Sequence, residues 1–120
     1  MLTVLVLAGT SRASELIAQI EGVPELSVVS HTYDGGLALA RARTLLPDVL
    51  VIDLSARFSG DAAAFIHQAR HLDPPVDLVV HEGGRVLGTV CRQSGAVLAP
   101  DERPGGLART LAALARHRSR

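Results

Sequence analysis

The chain has no lysine: all twelve of its basic residues are arginine. It also has no tryptophan, one cysteine, and only one Tyr and two Phe in 120 residues. Each shortage excludes something. Without lysine, no ε-ammonium is available to any site. With Cys91 alone, no internal disulfide and no cysteine-based metal cluster can form, and Cys91 reads as a small buried apolar residue on a helix. With so few aromatics the core must be built from Val, Leu, Ile and Ala. There is no net charge either, twelve acidic residues balancing the arginines, so the chain as a whole has no attraction to nucleic acid or to an acidic membrane. A long hydrophobic run is missing too. The opening MLTVLVLAGTSR holds an apolar stretch of about seven residues with no basic start, far below the ~18–20 that span a bilayer. It reads as a buried strand, and a cytoplasmic location is the default expectation.

What is present is hydrophobic residues, 48% of the chain, enough to argue against disorder in a length that suits one domain over 1–120. Leu2–Ala8 lacks in/out alternation, which predicts a strand buried on both faces. Thr10 or Ser11 is placed to cap the helix that follows, with Ala13, Leu16, Ile17 and Ile20 on one side, until Gly22 and Pro24 stop it. Leu26–Ser30 is the second strand and Asp34-Gly35-Gly36 a turn. Ala38, Leu39, Ala42 and Leu45 make the next helical stripe, ended by Pro47. Val49–Asp53 is the third strand. After a loop at Leu54–Gly60, Ala62, Phe65, Ile66 and Ala69 recur at helical spacing, and Asp73-Pro74-Pro75 breaks that helix. Val76–Val80 is the fourth strand. Gly83-Gly84 is expected to open a short helix through Val86, Val90 and Cys91, closed by Gly95. Ala96–Ala99 is the fifth strand, and Leu107, Leu111 and Leu114 mark a last helix that runs into a basic tail, 116–120.

Five strand–helix units in succession predict a three-layer α/β fold: a parallel five-stranded sheet with helices on both faces. Chemistry in such folds gathers at the carboxyl ends of the strands, near the point where strand order reverses. The residues to weigh are therefore Ala8–Ser11, Asp53–Ser55, His81–Gly84 and Ala99–Asp101.

This pattern, with LALARARTLLPDVLVIDL at its centre and SGAVLAP near its end, resembles the response-regulator receiver (CheY-like) family from Leu2 to about Ala115. The resemblance implies strand order 2-1-3-4-5 and a two-component signalling role. It also implies an aspartate at the end of strand three, here Asp53, that accepts a phosphoryl group. The remaining family groups are missing. The two acids that hold Mg²⁺ match Ala8 and Gly9, the Thr or Ser of strand four matches His81, the lysine matches Ala99, and the aromatic switch residue matches Ala96. Phosphoryl transfer is largely positioning plus charge neutralisation, and Mg²⁺ needs several hard oxygen ligands. Arg57 or Arg85 lies in reach along the loops, but a guanidinium fork does not replace an ammonium. The expectation is a degenerate receiver, a pseudo-receiver without Mg²⁺, that acts through protein contacts and is not an enzyme.

Family usage puts the working face on helix four, strand five and helix five, for a protein partner or a homodimer. Arg85, Thr89, Arg92, Arg103 and Arg109 are its candidate exposed residues. Nucleic acid would be reached only through an output domain following the basic tail. Two other readings stay open. One is a small-ligand sensor, its pocket at Gly9, Thr10, Ser11, Asp53, Ser55, His81 and Glu82; the other is a conventional phospho-acceptor at Asp53. His81 with Asp53 and Glu82 suits a His/carboxylate metal site, a pH-sensitive pair, or simply a side chain filling vacated volume. The opening LAGTSRASEL also resembles precorrin-6A reductases over a dozen residues. Gly83-Gly84 is similar to the diglycine of cobalamin-binding domains, whose aspartate–histidine pair after strand one is missing here.

Overall fold

Leu2–Leu7 (β1) and Val49–Asp53 (β3) offer almost no polar face to water, and both lie inside a sheet with a neighbour on each side. The computed structural model describes residues 1–118, and the side chains of 1–117. Ser119 and Arg120 of the basic tail lie outside the described residues. The other elements are α1 (Thr10–Glu21), β2 (Leu26–Thr32), α2 (Gly35–Leu45), α3 (Ala62–Ala69), β4 (Asp77–Glu82), β5 (Arg85–Val90), β6 (Val97–Leu98) and α4 (Gly106–Arg118). The sheet order is β2-β1-β3-β4-β5-β6.

Alternation along the strands sorts the core into two layers. Val4, Val6, Ala8, Val49, Val51 and Val79 face α1 and α4, meeting Leu16, Ile20, Leu107 and Leu111. Leu5, Leu7, Leu50, Ile52 and Leu78 face α2 and α3, meeting Ala38, Ala42, Phe65 and Ala69. The three-layer α/β architecture follows, with β1 to β4 mutually parallel. Caps set the helix starts. Asp34 takes the backbone N–H of Leu37 at 3.1 Å, so Gly35 and Gly36 begin α2 instead of forming a turn. Asp61 does the same for α3 with Ala64 at 2.7 Å. The cap expected from Thr10 or Ser11 is not made: Gly9 is the N-cap residue of α1 and no side chain bonds there.

The largest departure from expectation lies after β4. The segment expected to be a fourth crossover helix is β5, antiparallel to β4. Gly83 and Gly84 both have positive φ, 56° and 84°, as a two-residue hairpin turn requires. Val86, Thr89 and Val90 are β-branched, and Gly88 weakens a helix there. One extra residue in β5 shifts the register between Val80 and His81 and sets His81 opposite Val86.

The sheet therefore has six strands where five were expected, and the last two break the all-parallel pattern. The SGAVLAP segment forms the two-residue β6, one strand further from β4 than a 2-1-3-4-5 order would put it. Two consequences correct the sequence reading. Ala99, matched to the family lysine, follows an edge strand and is not beside β4. The face of helix four, strand five and helix five is made here by β5, β6 and α4. Thr89, expected to be exposed, is buried because its position opposite Val79 turns it toward the α1/α4 layer. Cys91 follows a strand and is half-buried.

The turn gives a direct check. Gly84→Ala forces a Cβ onto a left-handed residue and is expected to lower unfolding free energy by about 1 kcal/mol or more. Gly83→Asn keeps a residue that tolerates this region and should cost clearly less. Urea denaturation of the two variants measures the difference.

Candidate functional site

Asp53 ends β3 and His81 sits beside it on β4, paired in register. Both point into the α1/α4 layer and both are 1% exposed. A carboxylate so enclosed must be supplied with donors, and the local sequence supplies them. His81 Nδ1 lies 2.7 Å from Asp53 Oδ1. The Ser55 hydroxyl donates to Oδ2, and the Ser55 backbone N–H reaches the same oxygen at 3.2 Å. The Ser55 hydroxyl oxygen in turn accepts the Gly9 N–H at 2.9 Å. A single network thus ties the β1–α1 and β3–α3 loops to β4. Burial pushes the Asp53 carboxyl up, but the hydrogen bonds from His81 and Ser55 outweigh it and hold it below its ordinary value.

With Asp53 ionised, Nδ1 of His81 must be the protonated ring nitrogen, because the carboxylate can only accept. Nε2 is buried and has no hydrogen-bond partner among the described residues. Ser55 and His81 share an acceptor and do not bond each other, so the three groups do not form a nucleophile–base relay.

Of the residues expected at the strand ends, the fold brings Gly9, Asp53, Ser55 and His81 together. Thr10 and Ser11 are exposed on α1. Glu82 is exposed at the hairpin, 3.7 Å from Arg85. A metal site built on Asp53, His81 and Glu82 is therefore not assembled, and among the described residues no three His, Cys, Asp or Glu side chains gather. Nor do the residues present fit the family's Mg²⁺. Ala8 offers no oxygen ligand in its side chain. A Cβ on Gly9 would stand 2.7 Å from the Ser55 carbonyl oxygen, so a carboxylate at that position requires the loop to move. Both Asp53 oxygens already serve protein donors. The small-ligand reading loses its main anchors for the same reason. A groove of about 860 Å³ lies at the amino end of β4, lined by Asp77, Cys91, Arg92, Ala96, Leu98 and Leu114. Burial, then Asp77, pushes the Cys91 thiol up, away from the reactive thiolate form.

Four of the five arginine and threonine candidates have identifiable roles. Arg109 and Arg103 hold Asp101, at 3.0 and 3.3 Å, and lower its carboxyl well below the usual range. The backbone of Asp101 meanwhile pairs with Val86, so this cluster fastens the approach to α4 onto β5. Arg92 lies 3.9 Å from Asp48, and its backbone N–H bonds Asp77 at 2.7 Å. Thr89 is core. Ser55 is the participant whose weight the sequence hid. Its position two residues after Asp53 was visible, but its bridge to Gly9 depends on how two loops meet.

This architecture is a receiver fold. It is similar to the response regulator domain of Thermotoga maritima CheB, with TM-score 0.60 and 21% identity over 70% of this chain and 62% of that one. The likeness thus spans less than two thirds of that domain, and at this identity it speaks for the fold alone. Neither protein-family models nor curated proteins match the sequence. Among the described residues no helix is long and apolar enough to cross a membrane.

The buried pair makes stability depend on pH. Folding lowers the Asp53 pKa, so its contribution is fully present above the ordinary carboxyl value of about 4 and is lost as pH falls through the lower folded value. Asp53→Asn should flatten that acid limb in unfolding titrations between about pH 5 and pH 2. His81→Ala should cost about 1–3 kcal/mol at neutral pH by leaving the buried Oδ1 of Asp53 without its donor. Adding Asp53→Asn to that variant should recover part of the loss.

Proposed function

We propose that this chain is a receiver-fold signalling domain, cytoplasmic, that acts through protein–protein contact and not by Mg²⁺-dependent aspartyl phosphorylation. The observation that carries the reading is the occupancy of Asp53: Oδ1 by His81, Oδ2 by Ser55, at 1% exposure. An acceptor carboxylate needs an open oxygen, a metal that neutralises the incoming phosphoryl charge, and room for in-line approach. Here the oxygens face inward, and Gly9 packs where a metal-holding acid would stand.

The contact surface follows from the same departure. With β5 in place of a crossover helix, the end of the sheet presents β5, β6 and the exposed side of α4. Arg85, Arg103 and Arg109 keep substantial exposure there, and Val97 and Leu98 are among the exposed large apolar residues. The partner is a protein; contact with nucleic acid would belong to another domain.

Incubation with a small phosphodonor and Mg²⁺, read by intact mass and by Phos-tag mobility, tests the proposal. The expected result is no stable phosphoprotein, with no change on Asp53→Asn. A one-to-one phosphoprotein that disappears in Asp53→Asn overturns it.

A further inference from the structure

α3 ends with two histidines, in the sequence His67-Gln68-Ala69-Arg70-His71. Residues at i and i+4 share a helix face, and both histidines are exposed. Their ring centres lie 4.8 Å apart, with the planes tilted by 56°. One ring is held in place: His71 Nδ1 lies 2.8 Å from the His67 carbonyl oxygen. A carbonyl only accepts, so Nδ1 carries the proton, and the lone pair of the neutral ring sits on Nε2. The His67 ring makes no hydrogen bond among the described residues, so both of its nitrogens remain available.

These are the features of imidazoles prepared for a metal ion. A ligating histidine donates its other ring N–H to a carbonyl or carboxylate, which fixes tautomer and orientation, and His71 has that bond already. The spacing agrees. With a metal–nitrogen distance of about 2.0–2.1 Å, the ion stands about 3.2 Å from each ring centre. Two rings at right angles about the ion then have centres about 4.5 Å apart, and at a tetrahedral angle about 5.2 Å. The observed 4.8 Å falls between these limits, so chelation asks for ring rotation at an exposed position and no backbone movement. His67 lies in the last turn of α3, where the helix macrodipole favours positive charge. Arg70, between the two histidines in sequence, reaches elsewhere, to the Gly95 carbonyl at 3.5 Å.

We propose that His67 and His71 form a two-point chelate for a divalent ion of the nickel and copper type, with water in the remaining positions. Ligand number and type select the ion. Zinc sites take three or four protein ligands, and no third His, Cys, Asp or Glu gathers with these two among the described residues. Magnesium and calcium prefer oxygen. Nickel(II) and copper(II) bind imidazole and accept tetragonal sets of nitrogen and oxygen. An ion held here clips the last turn of α3. It favours the folded chain, because only folding keeps the two rings together. The site is separate from Asp53, which faces the α1/α4 layer while α3 packs on the opposite side of the sheet.

Titration of the full, tag-free chain with Ni²⁺ at about pH 8, where free imidazole is neutral, reads the site by calorimetry and by NMR. One equivalent should bind. The paramagnetic ion should broaden the ring resonances of His67 and His71 and spare those of His31 and His117, which are exposed elsewhere on the surface. His67→Ala and His71→Ala should each fold normally by circular dichroism and weaken binding by about ten-fold or more, since each leaves a single tether. His31→Ala should leave binding unchanged. Ni²⁺ should raise the urea midpoint of the parent chain and of neither chelate variant, and Mg²⁺ should raise none of them. Lack of saturable binding, equal broadening at all four exposed histidines, or a His67→Ala chain that binds as tightly as the parent overturns the proposal. Each of these results leaves the reading of Asp53 standing.

Discussion

A carboxylate at the end of a central strand, enclosed between the sheet and two helices, must find every donor it needs from the protein. At Asp53 those donors are an imidazole and a serine, and their choice governs the rest of this end of the molecule. His81 must stand next to Asp53 on β4, so β4 must run one residue past the point where its apolar run ends. Ser55 must turn back over the strand end, so the β3–α3 loop crosses close to Gly9, where even a methyl group would collide with a carbonyl. Both oxygens of Asp53 are engaged by this internal network. An imidazole on one oxygen and a hydroxyl with an amide on the other provide what a cation and an ammonium provide elsewhere: compensation of one negative charge in a place of low polarity.

The second determinant is two glycines. With Gly83 and Gly84 both in the left-handed region, the chain reverses at once and β5 runs back along β4. That reversal removes one crossover helix and displaces the last strand by one place. It also moves the residue that the resemblance matched to a lysine, Ala99, away from Asp53. Ala99 follows β6, and two strands separate β6 from β3. The acid at Asp101, bonded through its backbone to Val86 and through its side chain to Arg109 and Arg103, then fixes the route from the displaced strand into α4.

How much of this was legible in the sequence depends on the range of the forces involved. Leu2–Leu7 and Val49–Asp53 announced buried strands because continuous apolar runs have few other uses. The stripes at Ala13, Leu16 and Ile20, and at Phe65 and Ala69, announced their helices and their buried faces for the same reason. Asp53 beside His81 was visible as a pairing only after parallel register was assumed. Ser55, by contrast, acts on Gly9 across 46 positions, and no local rule contains that contact. The hairpin was misread although its signal was present. Val86, Val90 and Cys91 lie four and one residues apart, which satisfies a helical stripe, while Gly-Gly before RVLGTV satisfies a hairpin equally well. The regular alternation of strands and helices up to that point favoured the helix. The local chemistry, two glycines followed by β-branched residues, weighed the other way and prevailed.

An all-arginine basic complement fits this picture. Arg41 bonds a hydroxyl and a carbonyl at once, Arg109 grips both oxygens of Asp101, and Arg92 approaches Asp48 while its backbone serves Asp77. These are uses for a planar fork with several fixed donors, where a single rotatable ammonium would satisfy fewer acceptors. These guanidinium groups fasten loops and cover edge carbonyls, Arg41 at β2 and Arg70 over the Gly95 carbonyl beside β6. None of them is directed at Asp53, whose charge is met from within the sheet. A domain arranged in this way has its conformation fixed by internal bonds, so its surface is constant.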